Sequence, residues 1–236
     1  MTMQPIILQH VSLPSTMDEG RKLANTDALE FTVVQAYEQT AGRGRFGNQW
    51  SSPPGNLYMT VIFRPDMPVR ACAQLSFVLA LALADTIEHA EARLKWPNDV
   101  LVDGKKIAGI LLEMESGGKE TPDYLLAGMG VNIASGPEGS AILCDYMPAV
   151  TVEEARDRLL ENIAHWYERW LFGHFDDIRS AWLSRAHGVG QEITARFADR
   201  SIDGIFEGLD KDGNLILRQA NGDSRIISSG SIHFRP

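Results

Sequence analysis

Between Gly42 and Gly55 the chain carries four glycines and two prolines, so no regular element can run through it. Glycine loses more freedom on ordering than any other residue, and proline lacks the N–H that helices and sheet ladders need. The fold must therefore be built around a loop at this point. Within it, Gly42-Arg43-Gly44-Arg45-Phe46-Gly47 has the spacing of the dinucleotide fingerprint. That fingerprint requires a helix to open directly behind its glycines, and Pro53, Pro54 and Gly55 prevent one. What remains is backbone able to approach a ligand closely, with Arg43 and Arg45 upon it. A guanidinium stays charged and grips a carboxylate or phosphate through two parallel bonds.

A second segment has matching chemistry. Leu94 to Trp96 and Val100 to Val102 look extended, and Pro97 between them fits a sharp corner. Asn98 and Asp99 read there as side chains bonding their own backbone. Asp103-Gly104 is a hairpin signal, after which Ile107 to Glu113 returns as a strand. Lys105 reads as a solvated lysine, whereas Lys106 follows the turn and precedes Gly109. Fixed cations beside exposed backbone N–H groups are what a phosphate-handling site needs.

The rest of the chain predicts an α+β fold with a mixed sheet. Ser15 to Ala24 reads as a helix, with Ser15 or Thr16 as its cap and Asp18 and Glu19 at the positive end of its dipole. Phe31 to Tyr37, Leu57 to Phe63 (with alternation) and Tyr124 to Val131 read as strands. Val69 to His89, Val152 to Phe172 and Phe175 to Ser184 read as helices. The texture changes at Ala186 to Gly190. Beyond it, short runs (Gln191–Phe197, Ile202–Leu209, Leu215–Arg218, Arg225–Ile227, Ser231–Phe234) alternate with turns at Asp212-Gly213 and Asn221-Gly222. This pattern predicts residues 187–236 as a small SH3-like β-barrel docked on a main domain of residues 1–186, because so short a segment buries little by itself.

Composition narrows the function. A net charge of -9 over 236 residues argues against a general nucleic-acid binder. Cys72 and Cys144 read as reduced thiols rather than a disulfide framework. Met1 to Gln9 has no signal-peptide pattern, and the apolar run Phe77 to Ala84 is too short to span a bilayer. The expectation is a cytoplasmic protein with no membrane partner. The histidines at positions 10, 89, 165, 174, 187 and 233 show no metal-ligand spacing, and no nucleophile–histidine set is visible. No metal site of the protein's own is expected.

The Gly42–Gly47 loop with Trp50, and the Lys95–Asp99 corner with Lys106 and Gly109, together resemble the biotin–protein ligases. The resemblance runs from Ser15 to the C-terminal region, where Gly208-Leu209-Asp210-Lys211-Asp212-Gly213-Asn214-Leu215 looks like that family's last domain. It implies a catalytic domain like those of class II aminoacyl-tRNA synthetases and biotin–lipoate ligases. It further implies a biotin site of Ser15, Thr16, Met17, Gln39, Gly42, Arg43, Gly44, Arg45, Lys106 and Gly109. A nucleotide side follows from Arg43, Arg45, Trp50, Asn98, Lys106 and Asn132, the last ending the strand with Gly128 and Gly130. Taken by themselves, Gln39 reads as a strand-end polar group, the two glycines as packing space and Trp50 as a core tryptophan. Met17 departs from the asparagine usual in the family.

The implied reaction has two steps. Biotin and ATP, with Mg²⁺ arriving on the nucleotide, give biotinyl-AMP and pyrophosphate; a carrier lysine then attacks the mixed anhydride. Two anions meet in the first step, so Arg43, Arg45 and Lys106 would offset their repulsion. Asp99 would orient the incoming amine or take its proton. The resemblance implies the biotin carboxyl carrier protein of acetyl-CoA carboxylase as partner, and sheet-edge homodimers are compatible with it. The short stretch before Ser15 leaves no room for the DNA-binding helix-turn-helix of some family members, so no DNA partner is expected. A lipoate or octanoate ligase of the same fold, and a biotin sensor without turnover, are the alternative readings.

Overall fold

In a computed structural model, residues 4–88, 91–197 and 199–234 are described. Position 89, the last of one expected helix, lies outside them. The first part of the chain runs β1 (Ile6–Leu13), α1 (Thr16–Ala24), β2 (Thr32–Gln39), β3 (Leu57–Phe63), α2 (Leu75–Thr86), β4 (Ala92–Lys95), β5 (Asp99–Val102), β6 (Lys105–Glu115), β7 (Tyr124–Val131), α3 (Val152–Leu171) and α4 (Phe175–Ser184). One seven-stranded sheet has the order β1-β2-β3-β7-β6-β5-β4. Among the described residues β1 and β2 are the one parallel pair of this sheet, joined by α1, since a parallel pair needs a crossover. The sheet is mixed, as expected. β1 itself was not foreseen: it is an edge strand with irregular burial, so it carries no clean period-two signal.

Helix α1 packs on one face of the sheet, against β2, β3 and β7, while α2 and α3 cover the other. The expected alternation of β3 is absent for this reason: all its residues are buried. Met59, Val61 and Phe63 enter the large core, and Ile62 meets Met17, Ala24, Tyr124 and Leu126 beneath α1. The expected single helix from Val69 is instead a 3₁₀ turn, Val69–Gln74, followed by α2. Val69–Thr86 is long and apolar enough to cross a membrane by composition alone, yet α2 is buried all round against α3, α4 and the sheet. A helix apolar on every side suits such a position.

Strands β8 (Glu192–Arg196), β9 (Ser201–Leu209), β10 (Leu215–Arg218), β11 (Ser224–Ile227) and β12 (Ser231–Phe234) form a second, antiparallel sheet in the order β11-β10-β9-β8-β12. No ladder joins β11 to β12 among the described residues, so the expected barrel is open. Closure is not required here, because the main core covers the inner face: Ile193, Phe206, Leu215, Leu217 and Ile232 belong to the same buried cluster as α2 and β3. The segment between α4 and the second sheet is tied to β4 by backbone, Leu94 N–H donating to Arg185 O and His187 N–H to Leu94 O. Trp96 Nε1 donates to the Gly213 carbonyl at 3.3 Å. Gly213 has φ +90°, and a Cβ there would meet the Phe77 ring at 2.8 Å, so the turn must be glycine both for conformation and for space.

Candidate active site

Helix α1 covers only part of its face of the sheet. Beyond its N-terminus lies a cavity of about 460 Å³, a size usual for small-ligand sites. Its floor follows from strand register. Lys95, Asp99, Gly109 and Gly130 are successive cross-strand partners on β4, β5, β6 and β7, so they share one face. The two glycines strip that face of side chains. Into the space they leave comes Trp50, whose indole would lie 2.5 Å from a Cβ at Gly130 and 3.0 Å from one at Gly109. Trp50 is thus a cavity residue rather than a core one, and its Nε1 is buried without a hydrogen-bond partner. Met17 covers the third glycine, Gly128, in the same way.

The glycine–arginine loop forms the roof, and it is internally bonded rather than freely solvated. Gly44 N–H donates to Asn48 O, Asn48 N–H to Arg45 O, and Trp50 N–H to Gly42 O. Phe46 and Gly47 both have positive φ in the tight turn between. Arg43, Gly44 and Arg45 line the cavity, while Gly42 does not. Gly42 serves by close approach: a Cβ would sit 2.5 Å from both Ser52 Oγ and the Trp50 carbonyl.

Ser15, Thr16, Met17 and Gln39 meet at one end. Sequence suggested Ser15 or Thr16 as the cap of α1, but the Ser15 side chain makes no cap bond. Gln39 caps the helix instead, its Oε1 accepting from Thr16 N–H at 2.8 Å and Thr16 Oγ1 at 3.1 Å. Gln39 Nε2 donates to Ser52 Oγ, and Thr60 Oγ1 donates to Thr16 Oγ1. Ser15 Oγ is left buried, unpartnered and beside the cavity. A buried hydroxyl with no partner costs free energy unless something supplies one.

The charged groups sit around Asp99. Lys106 Nζ lies 2.6 Å from Asp99 Oδ1 and 5.0 Å from the centre of the Trp50 ring. Asn98 does not turn back on its own backbone as expected; its Nδ2 donates to Ile110 O on β6 at 2.7 Å. Its Oδ1 accepts from Arg45 Nη1 at 3.1 Å, and the same nitrogen donates to the Gly230 carbonyl at 3.2 Å. Burial holds the Arg45 guanidinium below its ordinary pKa, with Asp99 acting in the opposite direction. Arg43 pairs with Asp18 at 2.6 Å, in the open.

The far wall was the least expected part. Asn132 lines it, as anticipated, but so do Pro137, Glu138, Gly139 and Ser140, and Ser231 from the second sheet. The glycines and proline of Ser135–Ser140 directly after a strand were the available signal for the former; Ser231 had none. Behind this wall, buried Asn56 accepts three backbone N–H bonds at one oxygen, from Ile133 (2.7 Å), Ala134 (2.9 Å) and Ser135 (3.2 Å). Asn56→Leu should leave all three donors unmet and cost about 3 kcal/mol, lowering Tm by roughly 6–12 °C. Asn56→Asp, which keeps the acceptor, should lose less than half of that in the same melting experiment.

Two family profiles match this chain: the biotin/lipoate A/B protein ligase family over residues 9–132, and the biotin protein ligase C-terminal domain over residues 188–235. The chain belongs to the biotin/lipoate A/B protein ligase family. Its relatives include the biotin–[acetyl-CoA-carboxylase] ligase of Paracoccus denitrificans, 41% identical over 93% of this chain and 97% of that one. The bifunctional ligase/repressor BirA of Bacillus subtilis is 33% identical over 94% of this chain and 72% of its own. Among solved structures, a biotin protein ligase of Aquifex aeolicus in complex with biotin and ATP superposes with a TM-score of 0.83, at 26% identity and 98% coverage of both chains.

Membership in the ligase family raises the question of a metal. Among the described residues no three His, Cys, Asp or Glu side chains are grouped to hold one. The cavity does present two carboxylates, Asp99 and Glu138. That fits Mg²⁺, which commonly takes one or two carboxylates together with substrate phosphates.

Proposed function

We propose that this ligase activates biotin with ATP to biotinyl-AMP and transfers it to a lysine of a biotin carboxyl carrier protein of the acetyl-CoA carboxylase type. The observation that carries the reading is one cavity with an unpartnered hydroxyl at one end and a glycine floor in the middle, lined by Arg43, Arg45 and Lys106, with Lys106 paired to Asp99. Biotin's polar ring system suits the Ser15 end, where Ser15, Thr16 and Gln39 hold the hydrogen-bonding groups. Met17 and the loop of Gly42, Gly44 and Trp50 would enclose its apolar body, over Gly109. Its carboxylate would then reach Lys106. The nucleotide would take the side bounded by Trp50, Asn98 and Asn132.

In the first step a biotin carboxylate oxygen bonds to the α-phosphorus as the bond to the bridging oxygen breaks. Arg43, Arg45 and Lys106 offset the repulsion and the charge that develops. Bound Mg²⁺ would add charge compensation on the phosphate oxygens, with Asp99 and Glu138 the residues available to it. In the second step the carrier amine must attack while neutral. Asp99, already ion-paired with Lys106, is the group we assign to orient it. We further assign residues 1–186 to catalysis and 187–236 to a C-terminal domain. A cytoplasmic location belongs to the same reading and is supported by Cys72 and Cys144, both free thiols. A homodimer does too, and the open edge of β1, where Val11 is 81% exposed, is a surface on which a second copy could pair.

The test is to incubate the protein with biotin, ATP, Mg²⁺ and a carrier domain, then weigh the carrier. One biotinyl group, dependent on ATP and on the acceptor lysine, is the expected result. Labelling by lipoate or octanoate alone would overturn it, and binding of biotin with no turnover would make the chain a sensor. A finer prediction concerns Ser15. Ser15→Ala should leave Tm unchanged or slightly raised, because it removes a hydroxyl that has no partner in the free protein. It should nevertheless weaken biotin binding about tenfold by calorimetry.

A further inference from the structure

Lys95 has been given no role so far, yet it ends the cross-strand row whose other members, Asp99, Gly109 and Gly130, line the cavity. It is the cross-strand partner of Asp99, which in turn faces Gly109. With strands about 4.8 Å apart, Lys95 stands two strands, about 10 Å, from the glycine over which Lys106 lies. Its ammonium is half-buried and lies 5.8 Å from the centre of the Phe234 ring of β12. Beyond that ring is His187, at 4.6 Å between centroids. The second sheet therefore covers one side of Lys95.

Charge is unbalanced at this spot. Arg45, Lys95 and Lys106 all lie within the field of Asp99, and Asp99 is taken by Lys106. No carboxylate comes within ion-pair distance of Lys95 among the described residues. Burial and Lys106 both hold Lys95 below its usual pKa, and Asp99 only partly opposes them. In a chain of net charge -9, an excess of cations in one half-buried corner is a cost that a multiply charged anion would relieve.

We propose that Lys95 binds the terminal phosphates of ATP and receives the departing pyrophosphate. This rests on the function proposed above. When the carboxylate oxygen bonds to the α-phosphorus, the electron pair of the breaking bond passes to the α,β-bridging oxygen of ATP, which leaves as a terminal oxygen of pyrophosphate. Lys95 stabilises that charge, while Lys106 meets the α-phosphate nearer Gly109. The competing structural role is a lysine stem that merely packs on Phe234.

The two roles separate by half-reaction. In the full chain, Lys95→Met should slow adenylate formation from biotin and ATP about ten- to a hundredfold, and raise the inorganic pyrophosphate needed to halve that rate by a similar factor. Carrier labelling from presynthesised biotinyl-AMP should stay at the wild-type rate, because no pyrophosphate takes part. Lys95→Arg should recover most of the first step, and Lys95→Gln repeats the test if the methionine variant melts early. Equal loss in both half-reactions, or unchanged inhibition by pyrophosphate, would overturn the assignment. If wild-type protein forms no adenylate at all, the proposed function itself fails and takes this inference with it.

Discussion

Lys106→Ala should lower the rate of pyrophosphate release from biotin and ATP about 10²–10³-fold, while Lys105→Ala stays near wild type. The two lysines are neighbours in sequence and opposite in environment. Lys105 is exposed at the hairpin turn; Lys106 reaches back over Gly109, with Nζ at 2.6 Å from Asp99 and beneath the Trp50 ring. Removing its ammonium takes away a cation and also leaves the Asp99 carboxylate uncompensated beside two reacting anions. The loss should therefore be partly restored in the double variant Lys106→Ala, Asp99→Asn, a coupling that single substitutions hide. Arginine should not substitute well. Lys106 Cε and Nζ already lie 3.1 Å from where a Gly109 Cβ would be, which leaves no room for a planar fork. Equal losses at positions 105 and 106 would show that bulk charge at the hairpin, and not this geometry, drives the step.

The contrast between these lysines was legible in the sequence because it depends on a local turn. The same holds for the glycine–arginine loop, whose prolines and glycines decide its conformation within a dozen or so residues. What sequence could not show depends on distant partners. Gln39 looked like a strand-end polar group, and its use as the cap of α1 needs a contact across the parallel β1–β2 crossover. Ser15 was read as a cap from its position, and only the arrival of Gln39 frees its hydroxyl for the cavity. Asn56 gave no signal, since its three bonds go to a loop that follows β7. The barrel failed to close for a related reason. A short sheet whose inner face is already covered by α4 and the main core has no need to curl upon itself, and that covering is tertiary.

Arg45→Gly should let biotinyl-AMP leave the enzyme roughly ten- to a hundredfold faster, as read by its appearance in the filtrate of a rapid spin column. Arg45 ties the loop to two other parts of the site and stacks within its own turn. Its guanidinium lies 4.7 Å from the centre of the Phe46 ring in its own turn, and it donates to Asn98 on the corner before β5 and to Gly230 just before β12. Glycine would lose the stack and both bonds, leave two carbonyl-type acceptors without this donor, and add freedom to a loop already rich in glycine. Adenylate should still form at a measurable rate, since Lys106 and its partner Asp99 are untouched. Water, which a closed roof excludes, should then reach the anhydride and lower the yield of labelled carrier per ATP consumed. Arg43 offers the internal comparison. Its ion pair with Asp18 is about half exposed on both sides, a setting in which such pairs contribute little and salt weakens them further. Asp18→Asn should accordingly change adenylate escape by less than about twofold. Adenylate held as tightly by Arg45→Gly as by the wild type would mean that the roof is closed by its own backbone bonds, with the second sheet playing no part in retention.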